Sequence, residues 1–227
     1  MDKDTPRYIR EHFLTLKQLC EKSTVTGEEI LQLIEKKCIP KHSYEITETT
    51  EVQSFFGKRT ALRSTTQFYA KSNLDRIREV TKEARTQNLE AIACTVKERF
   101  LETYRRQISA AEEDLPGIMD GVAVEKLLQE EWQAWLDGIY GLCTIGATAD
   151  DVAAKEVSIR RIRRITDDAT KSTLTPLEGK HLQEAVNLLN EAASLFAPDE
   201  RADSSRERWI NRIVDQYELI HPTIPSM

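Results

Sequence analysis

Glycine and proline are scarce in this chain, with eight and seven among 227 residues. Neither occurs between Thr66 and Glu113. That stretch lacks the usual helix breakers and turn makers, so it reads as one long helix or two joined end to end. The four cysteines (Cys20, Cys38, Cys94, Cys143) are scattered, with no CxxC pair. Reduced thiols in a cytosolic protein fit this better than disulfides or zinc. No apolar run approaches the ~20 residues that cross a bilayer. The opening Met1-Asp2-Lys3-Asp4 is polar and acidic, unlike a secretion leader. There is no excess of basic charge: the net is −6. No global field therefore draws the chain to nucleic acid or membrane. A GxSxG elbow, a Walker loop and a dinucleotide fingerprint are all missing, and no cofactor is implied. The expectation is a cytoplasmic protein with no membrane partner and no cofactor, for which nucleic acid is an improbable ligand.

What is present is 40% hydrophobic and 31% charged residues, a balance that suits a globular chain with helical periodicity. The stretch Trp132-Gln133-Ala134-Trp135-Leu136-Asp137-Gly138-Ile139-Tyr140-Gly141-Leu142-Cys143 stands out. Leu128, Trp132, Trp135, Leu136 and Ile139 recur at helical spacing and share a face. Gly138 fits the residue after a helix end, where positive φ is common. Gly138, Gly141 and Gly146 crowd together, which argues for an irregular backbone closely approached by another segment. One reading is a core stripe ending in a capped turn. The other makes the tryptophans an apolar pocket wall, with Asp137, Tyr140 and Cys143 at its lip.

Thr5-Pro6 opens a first helix. Thr15 with Gln18, and Thr26 with Glu29, are capping boxes for two short helices near 15–22 and 27–37. A short extended piece, Ser43-Tyr44-Glu45-Ile46, follows. This is a helix-turn-helix layout, and it resembles the start of winged-helix domains in mercury-resistance-type regulators and excisionases. Residues 1–45 hold eight Lys/Arg and eight Asp/Glu. The second helix carries Glu28, Glu29 and Glu35, which repel phosphates. A packing or protein-docking module is the expectation.

Residues 47–65 are threonine-rich and read as a linker. Beyond them, Leu74, Ile77, Val80, Ala84, Ile92, Val96, Phe100, Tyr104 and Ile108 form one apolar seam. It serves a bundle inside the chain or, given its length, a homodimer. Leu115-Pro116-Gly117 ends it. Later helices are expected at 123–138, 151–168 and from Thr175-Pro176 to about Phe196, with a last one after Ser204. Arg160, Arg161, Arg163 and Arg164 are a solvated, acid-paired face or an anion clamp. Glu178-x-x-His181 and Glu218-x-x-His221 have di-metal spacing. Glu178 already has a capping role, however, and no metal is expected. Arg201 and Arg206 beside a helix start could hold an anion; Ser204 with Glu207 could equally be a capping box.

WxxWLDGxYGxC, then Lys155-Glu156, then Phe196-Ala197-Pro198-Asp199-Glu200-Arg201 and Ser204-Ser205-Arg206, resembles a bacterial family of unknown function grouped with natural-product-biosynthesis proteins. Asp199 stands where that pattern carries a histidine. The resemblance implies a place in a specialised-metabolite pathway and no particular reaction.

The combined expectation is an all-α protein: a helix-turn-helix module at 1–46, a linker at 47–65 and a helical bundle at 66–227. It would bind a small, anionic metabolite, as an enzyme or not, or else regulate through its N-terminal module. Trp132, Trp135 and Tyr140 would line the pocket and Asp137 would be the catalytic carboxylate. Glu200, Arg201, Ser205 and Arg206 would hold the ligand, with Lys155 and Glu156 as further contacts.

Overall fold

The computed structural model describes residues 3–57, 59–119 and 121–224. In chain order the elements are α1 (Thr5–His12), β1 (Phe13–Thr15), α2 (Leu16–Ser23), α3 (Gly27–Glu35), β2 (Tyr44–Gln53), β3 (Arg59–Ala70), α4 (Asn73–Glu83) and α5 (Leu89–Asp114). They continue with α6 (Val124–Leu136), α7 (Ile139–Cys143), α8 (Ala149–Thr166), α9 (Pro176–Ala192), a 3-10 turn Pro198–Asp203, a π-helical turn Glu207–Asn211 and α10 (Arg212–Gln216).

Short polar signals set the helix starts. The side chains of Thr15, Thr26, Thr148 and Thr175 accept from the backbone N–H three residues on. Gln18, Glu29, Asp151 and Glu178 return the bond, completing four capping boxes. Each box satisfies donors that a helix end leaves free. Ser204 accepts from the Glu207 amide at 3.0 Å, but a π-helical turn follows instead of a regular helix.

The all-α expectation is overturned. β1, β3 and β2 form a three-stranded antiparallel sheet in that order, so the protein mixes helix and sheet, with helix predominating. β2 and β3 pair from Tyr44↔Phe68 out to Gln53↔Arg59, and β1 joins the base at Phe13↔Ala70 and Thr15↔Phe68. Residues 47–65, read as a linker, are the outer part of this hairpin and its tip. From Thr47 to Thr65 almost every residue is exposed. Strands wet on both faces carry no apolar alternation, so periodicity could not reveal them. What marked them was β-branched composition, since threonine and valine suit a pleated strand. Phe68 and Tyr69, read into the long helix, are β3 residues in the core.

The helices pack around separate core clusters. Leu19, Ile30, Leu33, Tyr69, Ile77, Val80 and Ile92 join α2, α3, β3, α4 and the start of α5. Phe100, Tyr104, Leu128, Trp132, Trp135, Val152 and Ala153 join α5, α6 and α8. Ile162, Leu182, Val186, Leu189, Ile210 and Ile213 join α8, α9 and the C-terminal turns. The apolar seam expected of the 66–113 region thus faces the chain's own core. Its helix is interrupted at residues 84–88, between α4 and α5. Among the described residues no helix is long and apolar enough to cross a membrane.

Candidate functional site

The tryptophan stretch is consumed by packing. Trp132 and Trp135 are buried and stacked 5.0 Å apart, with Phe100 within 6 Å of both rings. The Trp135 indole N–H donates to the Ala147 carbonyl at 2.8 Å. Arg76 lies over the same ring, 5.6 Å from its centre, and donates to the carbonyls of Gly146 and Ala147. Tyr140 packs partly buried against this cluster.

The glycines of the stretch serve a close approach. Gly138 has φ +79°, and a Cβ there would sit 2.5 Å from the His42 carbonyl oxygen. A Cβ on Gly141 would sit 2.3 Å from the Ser43 hydroxyl. Ser43 Oγ donates to the Gly138 carbonyl and the Lys41 amide to that of Leu136. The α6–α7 corner is therefore clamped onto residues 41–43. Asp137 belongs to this clamp. Its carboxylate accepts from Lys41 Nζ at 2.8 Å and from Gln133 at 2.9 Å. The Gln133 and Lys41 hydrogen bonds hold its pKa below the ordinary range, so it stays ionised at neutral pH. Arg201 is not among its partners.

Lys155 and Glu156 sit on α8. Lys155 Nζ lies 5.9 Å from the Phe196 ring centre. Glu156 pairs with Arg160 at 2.6 Å. Behind them Tyr104 is fully buried with its hydroxyl unpartnered, and Glu131 Oε2 is likewise buried and unpartnered. Burial, then the Glu156 charge, pushes the Glu131 carboxyl up to about 7. The four α8 arginines are all engaged: Arg160 on Glu156, Arg161 on Asp114, Arg163 on Asp168 and Arg164 on the Pro116 carbonyl.

The segment 194–206 is organised differently. Phe196 takes φ +58°, turning the chain into the 3-10 turn. Glu200 accepts from the Tyr44 hydroxyl, which ties the turn to β2. Burial and then that hydrogen bond raise the Tyr44 pKa strongly. Arg206 is buried and donates to the carbonyls of Asn190, Ala193 and Ser194 and to the Asn190 side-chain oxygen. It closes the C-terminal end of α9, where carbonyls lack helical partners. Among the described residues no carboxylate pairs with it. Arg201 is exposed, and among the described residues only its Nε is engaged, by the Phe196 carbonyl. Ser205 Oγ is buried without a partner.

A cavity of about 450 Å³ opens here, lined by Leu195, Arg201, Ser204, Arg206, Ile210, Asn211, His221, Pro222 and Ile224. Among the described residues two arginines and a histidine line it and no Asp or Glu does; the histidine pairs with Asp215 at 3.7 Å. A smaller cavity of about 140 Å³ lies beyond the extended segment, lined by Tyr8, His12, Lys71, Thr144 and Ser194 among others. Of the sequence-derived residues, Arg201 and Arg206 meet at the larger cavity, with Glu200 and Ser205 beside them in the chain. Asp137, Trp132, Trp135 and Tyr140 line neither cavity. Sequence reasoning missed Tyr44, Asn190 and Ser194, whose roles come from distant pairings that carry no local signal. Among the described residues no group of three or more His, Cys, Asp or Glu side chains could hold a metal ion.

No curated protein and no solved structure matches the chain. A family model does match, over residues 96–218, which takes in the tryptophan stretch and both arginines of the cavity but not its His221, Pro222 and Ile224. That span is more than half of the chain, and the protein therefore belongs to DUF6058, a family of unknown function.

Proposed function

We propose that the protein binds a small anionic metabolite in the cavity between the 3-10 turn, the π-helical turn and residues 221–224. The observation that carries this is the lining: Arg201 and Arg206, with His221 beside them paired to Asp215 at 3.7 Å, and no Asp or Glu among the described lining residues. Arg206 supplies buried positive charge from a fixed position, since its donors are held by carbonyls. Arg201 keeps its terminal nitrogens for a carboxylate or phosphate, which a guanidinium can grip in bidentate fashion. Ser204 and Asn211 add neutral polar contacts. The cavity volume suits a ligand of metabolite size. Asp137 has no part in this site, so the reading is one of binding and assigns no reaction. Its place is a specialised-metabolite pathway, a proposal that rests on the resemblance of residues 132–143 and 196–206 to natural-product-biosynthesis proteins. Calorimetry against a panel of di- and tricarboxylates and phosphate esters tests it. Arg201→Met should abolish binding of any hit while leaving the melt unchanged. A panel without hits, or a hit indifferent to Arg201→Met, would reject the reading.

A second reading concerns the N-terminal unit. We propose a winged-helix reading of its element order, α1-β1-α2-α3-β2-β3 with the sheet ordered β1-β3-β2, in which the β2–β3 hairpin is the wing. We propose that it docks to protein and not to duplex DNA, because α3 presents Glu28, Glu29 and Glu35 where phosphates would approach. Salt-sensitive duplex binding weakened by Lys36→Ala and Lys37→Ala would overturn that.

A further inference from the structure

The outer half of the β2–β3 hairpin has no packing role. β2 runs ten residues, roughly 30 Å at strand rise. Its base is covered by α1 and the 3-10 turn, and the outer part, about two thirds, stands free in solvent. At the tip Phe55 is 100% exposed and Phe56 90%, their rings 6.0 Å apart edge to face. A phenylalanine so exposed forgoes roughly 1.5–3 kcal/mol that burial would return. Two together, with none of the described residues covering them, mark a contact surface.

The strand register adds a second feature. Val52 pairs with Thr60 and Leu62 with Thr50, so Val52 and Leu62 share one face of the ribbon. They are 51% and 59% exposed. Gln53 pairs with Arg59 and Thr49 with Arg63, so the two arginines share the opposite face with Glu51. Neither arginine has an ion-pair partner among the described residues. Residues 52–63 carry three Lys/Arg and no Asp/Glu, in a chain whose net charge is −6. The tip is thus an apolar, cationic outpost held away from an acidic body.

We propose that this hairpin tip docks on an anionic lipid surface, with Phe55 and Phe56 entering the headgroup–acyl boundary and Arg59 and Arg63 meeting the lipid charge. Aromatic rings and basic side chains are the pair that interfacial elements combine. A plane is also the partner that a single protruding tip can reach while the acidic body keeps its distance. Single-stranded nucleic acid would need a basic groove along several phosphates. The ribbon offers only a tip, with Glu48 and Glu51 behind it.

The test is co-sedimentation of the full chain with vesicles of phosphatidylcholine alone and of phosphatidylcholine with phosphatidylserine. Binding is expected on the anionic vesicles only and should fall with added salt. Phe55→Ser with Phe56→Ser should weaken it at least about tenfold, and Arg59→Glu with Arg63→Glu should abolish it. Circular dichroism should be unchanged, because these side chains touch nothing in the core. In Phe55→Trp the added emission should be quenched by bromine-labelled acyl chains. Absence of binding to anionic vesicles, binding indifferent to the two phenylalanines, or phenylalanine-dependent binding of an oligothymidine in place of vesicles would each overturn the proposal.

Discussion

Residues 132–143 and 194–206 are both dense in chemistry-bearing side chains, and the fold uses them in opposite ways. In the first, the tryptophans stack on Phe100, the indole donor is taken by Ala147, and Asp137 is spent on Lys41 and Gln133. In the second, Arg206 is also spent, on α9 carbonyls, but the expenditure fixes a charge beside a cavity, and Arg201 keeps free donors. Richness in polar and aromatic residues therefore does not distinguish a site from a joint. What distinguishes them is whether donors and charges remain unspent once packing is complete.

The largest expected effect belongs to Arg206. Arg206→Met would orphan three buried carbonyls and the Asn190 side-chain oxygen, at about 3–5 kcal/mol in all. Urea denaturation measures it, and a loss under 1 kcal/mol would show that this guanidinium is not the closing piece of α9. Next is the joint. Gly138→Ala meets both positive φ and the His42 carbonyl, and should cost about 2–4 kcal/mol by the same assay. A neutral result would mean that the α6–α7 corner can retreat from residues 41–43.

The third prediction uses pH. The Glu131 carboxyl, pushed up to about 7, keeps its proton in the folded chain over a range where the unfolded chain, near the ordinary 4.5, has lost it. The neutral form is the one the fold favours, so its contribution is complete below about 4.5 and is lost as pH rises to 7. Part of the group remains in contact with solvent, and the loss should be about 1–2 kcal/mol after screening. Glu131→Gln should flatten this slope and leave the variant more stable than wild type at pH 8. An unchanged slope would remove Glu131 as its source.

The smallest effects sharpen the contrast most. Asp137→Asn and Arg201→Met should each change stability by no more than about 1 kcal/mol, since both side chains work at the surface. The double variant should be additive within about 0.5 kcal/mol, because the two share no partner. Only Arg201→Met should affect anion binding. Strong coupling between them would restore the single Asp137–Arg201 constellation that the sequence suggested.

The legible part of this protein is local. Thr15 with Gln18, Thr26 with Glu29 and Thr175 with Glu178 announce helix starts within four residues, and the fold honours them. Gly138 announces a positive φ for the same reason. The strands were hidden because Thr47 to Thr65 is wet on both faces, so burial left no imprint on the pattern. In the site, Arg201 and Arg206 were legible as neighbours in sequence. The bonds of Arg206 to Asn190 and Ser194, and of Tyr44 to Glu200, join positions that only tertiary structure brings together. The net charge likewise concealed the basic hairpin tip, since an average over the chain cannot show polarity within it.

The contact between α1 and the 3-10 turn carries a consequence for the order in which the protein is made. The Thr5 hydroxyl accepts from the Asp199 amide across 194 positions, and Tyr8, Ile9 and Phe13 share a cluster with Ala197. During synthesis the first helix leaves the ribosome before either of its covers exists. Phe68 and Ala70 of β3 can shield part of its apolar face first, and Ala197 reaches it only after α9 has emerged. Residues 5–13 and 197–199 thus form a contact of very long sequence separation, which can close only after the helices between them have been made.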